Sequence, residues 1–150
     1  MRIFVTIAMA LAIPFSSTQA HAHAACREFD EDLQLHLESV RNRDVATLER
    51  TITSDALLPL ILPDGTRTGT RQAYLAFHRE FFSDKRWRMD FEEQGRVASD
   101  GFVLVSLKST FRADVDAPGR SSWLSMGFRC ESGRWRLTFD QNTRLPAAAP

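Results

Sequence analysis

Residues 57–77 read Leu57-Leu58-Pro59-Leu60-Ile61-Leu62-Pro63-Asp64-Gly65-Thr66-Arg67-Thr68-Gly69-Thr70-Arg71-Gln72-Ala73-Tyr74-Leu75-Ala76-Phe77. Leu57 to Leu62 is an apolar run of strand length, Pro63-Asp64-Gly65 turns it back, and Thr66 to Thr68 is a brief return strand. Thr70 then stands where a side-chain oxygen can accept from a free amide of a first helical turn. Beyond it Ala73, Tyr74, Phe77 and Phe81 recur at helical spacing and form one apolar stripe. A short hairpin therefore runs directly into an amphipathic helix.

Upstream, Phe29, Leu33, Leu37 and Val40 mark a first helix, with Glu28, Asp30, Glu31 and Asp32 favourable in its first turn. Asn42-Arg43 breaks it, and Asp44 caps a second short helix that buries Leu48 and Ile52. Downstream come four strands. Trp87, Met89 and Phe91 alternate with polar residues, and Phe102 to Phe111 follows the Ser99-Asp100-Gly101 turn. Trp123 to Cys130 follows Ala117-Pro118-Gly119, and the last strand, carrying Trp135, Leu137 and Phe139, follows Ser132-Gly133. Helices first and an antiparallel meander afterwards is an α+β order, with helices covering one face of a bent sheet.

The chain opens with Arg2, an apolar run from Ile3 to Phe15, a polar exit at Ser16-Ser17-Thr18-Gln19, and two small-x-small sites at Ala20-His21-Ala22 and Ala22-His23-Ala24. That order reads as a cleavable secretory signal over residues 1–24, too short to cross a bilayer. The expectation is an exported protein, periplasmic or secreted, with one domain over residues 25–146 and a frayed tail at 147–150. The whole chain has net charge +0, and loss of Arg2 with the signal leaves it one unit negative. No basic block is present to neutralise phosphates, so neither nucleic acid nor a charged membrane surface is an expected partner. The cysteines are Cys26 and Cys130. In an oxidising compartment they can bridge; Cys26, just past the cleavage site, also admits a lipid anchor, although the residues before it lack the usual leucine.

Three stretches resemble the nuclear transport factor 2-like (cone) superfamily, and its SnoaL-like branch in particular. They are the helix, Asn42-Arg43-Asp44 break and second helix; residues 62–77, similar to the family's hairpin entering the third helix; and Gly133 to Thr143, similar to its closing strand. The resemblance implies a cone-shaped fold, in which N-terminal helices pack on a strongly curved antiparallel sheet enclosing a pocket. Members include isomerases, dehydratases, cyclases and non-catalytic transport or oligomerisation modules, so function must be read from the site.

Two histidines follow the signal, His36 and His78. His36 falls where isomerase-like relatives place a pocket tyrosine, and imidazole there could donate to an oxyanion or act as a base; a half-buried helix residue is the commoner case for such a histidine. His78 lies at the edge of the Tyr74/Phe77/Phe81 stripe. The carboxylates of the isomerases have no counterpart: their base would fall in the apolar run 57–62, and their second carboxyl near Met126. Gln141 replaces the histidine of many relatives. Counting by twos from Trp135, Leu137 and Phe139, it points to the pocket mouth, where an amide orients a ligand or bonds to backbone, but takes no proton. By the same count Asp140 and Asn142 face outward, as does Trp123, on the sheet surface where relatives dimerise. No dinucleotide, P-loop, HExxH, CxxC or GxSxG motif occurs, so neither a cofactor nor a metal is expected.

The expected pocket has apolar walls of Tyr74, Phe77, Trp87, Phe91, Leu107, Met126 and Phe139, with His36, Gln141 and Thr143 as its polar groups. Such a lining suits a small, mostly apolar ligand. The preferred reading is a binding or accessory domain without a complete catalytic constellation. The alternatives are an isomerase, lyase or hydrolase using His36, and an oligomerisation module, with homodimerisation through the outer sheet face.

Overall fold

The computed structural model describes residues 26–146; the expected signal and the tail at 147–150 lie outside them. Helix α1 (Phe29–Asn42) has Asp30, Glu31 and Asp32 in its first turn, where the helix dipole favours negative charge. It ends at Arg43, whose left-handed φ of 58° closes the last turn through a 3.0 Å bond from its N–H to Val40 O. Helix α2 (Val45–Thr51) is capped by Asp44, whose carboxylate accepts from the Thr47 amide at 3.0 Å. Strands β1 (Leu57–Ile61) and β2 (Arg67–Thr70) form the hairpin. The Thr70 hydroxyl accepts from the Ala73 amide at 3.1 Å and starts helix α3 (Arg71–Phe81). Strands β3 (Arg88–Ser99), β4 (Phe102–Arg112), β5 (Arg120–Glu131) and β6 (Arg134–Arg144) complete an antiparallel meander.

The six strands make one sheet in the order β2-β1-β6-β5-β4-β3. The sheet is mixed rather than wholly antiparallel: β1 runs parallel to β6, with Leu60 opposite Asp140. Parallel neighbours need a long connection, and here the hairpin, α3 and the meander supply it. Val105, Leu107, Leu124, Met126, Phe128 and Leu137 point from the sheet onto Leu33, Leu37, Leu48, Tyr74 and Leu75 of the helices, forming a continuous core. Among the described residues no helix is long and apolar enough to cross a membrane.

Ser132 and Gly133 both have positive φ, 51° and 79°, as a tight turn matched to the strand twist requires. That turn brings β5 back beside the segment preceding α1. Arg27 N–H donates to Gly133 O at 3.1 Å, and Cys26 is disulfide-bonded to Cys130 with Cα atoms 5.9 Å apart. Of the two fates open to Cys26, the structure has the bridge.

A bulge in β6 corrects the expected facing of the last strand. Phe128 pairs with Leu137 but Gly127 pairs with Phe139, leaving Thr138 as the extra residue. The Thr138 hydroxyl donates to Gly127 O at 3.1 Å. One inserted residue exchanges the two faces of everything beyond it. Asp140, expected outside, is therefore buried with 4% exposure, and Asn142 also faces in. Phe139 and Gln141, expected inside, face out. A Cβ on Gly127 would lie 3.1 Å from the Phe102 ring and 3.3 Å from Phe139 Cβ, so the Phe102 ring packs over a residue without a side chain.

Candidate functional site

Between α3 and the sheet's open end lies a cavity of ≈ 190 Å³. Helix α3 contributes Phe77 and Phe81, the β1–β2 turn Leu62 and Pro63, and the strands Met89 and Phe111. The polar groups are Ser109, Ser122 and Asn142, with Arg120 and Arg144 at the rim. The rings are placed by packing: Phe77 and Phe81 stack with centroids 5.8 Å apart, and Phe81 stacks on Trp87 at 4.4 Å. Trp87 is held in turn by an Nε1–H bond to Phe81 O at 2.9 Å and by the Arg43 guanidinium 4.1 Å above its ring.

Adjoining the cavity is a buried polar cluster. Tyr74 Oη donates to Asp140 Oδ2 and Asn142 Nδ2 to Asp140 Oδ1, each at 3.4 Å. Burial pushes the Asp140 carboxyl up to about 7, against the smaller opposing pull of the Tyr74 hydrogen bond. Burial, and then the nearby Asp140 charge, holds the Tyr74 phenol well above its ordinary value. His78 lies against Tyr74 with ring centroids 4.2 Å apart and its Nδ1 2.9 Å from Tyr74 O; burial lowers it to about 4. The carbonyl can only accept, so Nδ1 carries the proton.

His36 stands elsewhere. It is fully buried on α1, edge-on to Phe128 at 5.8 Å, and is not among the cavity residues. Thr51 Oγ1 donates to Leu48 O at 2.8 Å, and therefore accepts from His36 Nδ1–H, also at 2.8 Å. The Nε2 lone pair is left without a partner. Burial, then the proximity of His78, lowers its pKa to about 3. The imidazole is neutral and faces core.

Of the other expected pocket residues, Phe77 lines the cavity, and Tyr74 lies behind it through Asp140 and Asn142. Trp87 supports Phe81 from the core. Leu107 and Met126 are filled core, and Phe91 packs beneath the Arg41 guanidinium, 5.2 Å from its ring centroid. Gln141 lies on the outer face, within 3.5 Å of Thr143 Oγ1, and Thr143 borders an open depression there with Trp123, Ser106 and Gln94. Sequence reasoning missed Ser109, Phe111, Arg120 and Ser122, although counting by twos from Leu107 and Leu124 puts all four on the inner face. Asn142 and Arg144 were hidden by the bulge. Among the described residues, no three His, Cys, Asp or Glu side chains converge as a metal-ligand set.

Neither a family model nor a curated protein matches this sequence. Solved structures do. A Thiobacillus denitrificans protein assigned as a calcium/calmodulin-dependent protein kinase type II association domain superposes with TM-score 0.73 at 14% identity, covering 81% of this chain and 98% of its own. A Streptomyces avermitilis protein, assigned as a dehydratase of the nuclear transport factor 2-like family, does so with TM-score 0.67 at 13% identity over 79% of this chain and 94% of its own. This chain has the nuclear transport factor 2-like fold. An LEH-like epoxide hydrolase from M. tuberculosis also superposes, with TM-score 0.57 at 14% identity over 77% of this chain and 80% of its own. Proteins named as an association domain, a dehydratase and an epoxide hydrolase thus share this fold, and the fold alone selects none of these roles.

Proposed function

We propose that this protein is an exported small-ligand-binding domain whose ligand lies in the cavity between α3 and the open end of the sheet. The observation that carries the reading is the composition of that cavity: aromatic and aliphatic walls around three uncharged polar side chains, with its charged groups at the rim. A lining of that kind holds an apolar body and orients it through a few hydrogen bonds. Native mass spectrometry of protein purified from its own host should find a retained small molecule. 2-Phenylethanol should bind the purified domain, and Ser122→Phe, which fills the cavity from β5, should abolish that binding while leaving the fold intact by circular dichroism. Equal binding by the filled variant would sink the reading.

Catalysis is a second reading, and its acid–base group is Asp140 rather than His36, because Asp140 sits near neutrality beside Asn142 of the cavity wall. Asp140→Asn should retain ligand while stopping any turnover of the molecule found by mass spectrometry. Homodimerisation through the outer sheet face belongs to the same proposal: Trp123 (39% exposed), Phe102, Leu104 and Val97 present apolar area there. Trp123→Lys should halve the mass measured by light scattering, and an unchanged mass argues against that interface.

A further inference from the structure

The rim of the cavity carries a feature that an apolar ligand does not require. Arg120 lies opposite Phe111 across β4–β5, and Arg144 lies opposite Ser122 across β5–β6. Ser122 is two residues along β5 from Arg120, so the two arginines are diagonal cross-strand neighbours on one face, with Cβ atoms ~7 Å apart. Both border the cavity. The Arg120 guanidinium is steadied over the Phe111 ring at 5.3 Å. Neither arginine forms an ion pair with a carboxylate among the described residues, in contrast to Arg112 beside them, which holds Asp90 at 2.9 Å. Asp64 is near enough for Arg144 to help lower its pKa, but its carboxylate accepts from the Thr66 amide at 2.9 Å. The mouth therefore offers two planar donor groups above aromatic walls.

We infer that the cavity takes a small amphipathic anion: a single-ring or short-chain body held among Phe77, Phe81 and Phe111, with its carboxylate gripped between Arg120 and Arg144. Size agrees with this: the cavity measures ≈ 190 Å³, and a cavity of about 150 Å³ accommodates benzene. Guanidinium matches carboxylate geometry bidentately, and two such groups at diagonal spacing can share one head group. Ser122, between them on the wall, can donate a further hydrogen bond. The inference rests on the proposed ligand-binding reading and sharpens it by naming the ligand's charge.

Three probes of nearly one shape separate the two claims: phenylacetate, 2-phenylethanol and 2-phenylethylammonium, each titrated calorimetrically at low salt. Phenylacetate should bind roughly tenfold more tightly than the alcohol, the gain expected of charge-assisted hydrogen bonds at a partly exposed rim. The ammonium should bind more weakly than either. Raising the salt to about 0.5 M should narrow the phenylacetate advantage and leave the alcohol unchanged. R120Q and R144Q should each reduce the advantage, and the double variant should erase it, with 2-phenylethanol binding preserved as the control for an intact cavity. Equal binding of the three probes, or an advantage that survives in R120Q/R144Q, overturns the anion inference but leaves the apolar-cavity reading standing. Binding by none of the three overturns both.

Discussion

The two ends of the core use similar residues and finish them differently. At the disulfide end, Phe29 meets Phe128 and Trp135 edge-on at 5.3 and 5.7 Å, and the Arg96 guanidinium covers it at 4.9 Å. Asp32, 2% exposed, accepts from Arg134 Nε at 2.9 Å and from the Trp135 amide at 2.8 Å. At the cavity end the rings leave space between them, and Asp140, 4% exposed, has only contacts of 3.4 Å from Tyr74 and Asn142. Two equally buried aspartates thus differ in how well their charge is satisfied. A buried charge with short donors holds a structure together; one without them drifts toward its neutral form. One end is closed by packing and short hydrogen bonds, and the other keeps a cavity.

The strongest way to break this contrast is to remove the pin at the closed end. The bridge joins residues 104 apart, and opening a loop of that length should cost about 4–5 kcal/mol through the entropy of the unfolded chain. Cys26→Ser/Cys130→Ser should lower the urea midpoint accordingly, and probe binding well below the new midpoint should persist. A variant that remains folded but no longer binds would show that the two ends are coupled.

Next come the two aspartates. Asp32→Ala strips Arg134 and the Trp135 amide of their acceptor and should cost about 2–3 kcal/mol, less than a fully buried pair because Arg134 reaches solvent. Asp140→Asn should be nearly neutral around pH 4 and increasingly stabilising up to pH 7. The sign follows from linkage. With its folded pKa near 7 against an ordinary 3.8, the folded chain holds one more proton between those limits. Its contribution therefore falls as pH rises through that window, and Asp140→Asn removes the loss. The stability difference, variant minus wild type, should grow with pH by up to about 1.4 kcal/mol per unit between pH 4 and 7. Urea unfolding at a series of pH values measures it, and a flat difference would mean that Asp140 is better solvated than its burial implies.

The buried histidines give an effect of opposite sign. His36 and His78 fall to about 3 and about 4 from 6.5, so below the ordinary value the unfolded chain binds the extra protons. Their contribution is full above pH 6.5 and is lost as pH falls, through about 4 for His78 and about 3 for His36. Replacing His78 by Asn should flatten the acid limb of the stability curve, with the expected partial loss of packing against Tyr74 read separately at pH 7.

Most of the architecture was legible because it rests on local chemistry: Asp44 and Thr70 cap where their oxygens can reach an amide, and Ser132-Gly133 turns where two residues take positive φ. The site was less legible. Residues 135–143 alternate without any visible defect, so no pattern announces that Thr138 is inserted, and the inner and outer faces of Phe139, Asp140, Gln141 and Asn142 were read reversed. The β1–β6 pairing was equally hidden, because it joins strands separated by most of the chain. His36 occupied a position that family resemblance made chemical, but α1 turns it into the core, where its only recorded side-chain bond is to Thr51.

The bridge also carries a consequence in time. Cys26 is made early, and its partner exists only after 104 further residues have been synthesised. Through that interval the thiol has no intramolecular choice at all, since the chain contains only 2 cysteines; the one error open to it is a bond to another molecule. In the folded sheet the turn at Ser132 and Gly133 lies beside Arg27, whose N–H meets Gly133 O, and the bridge fastens the last hairpin to the segment before α1.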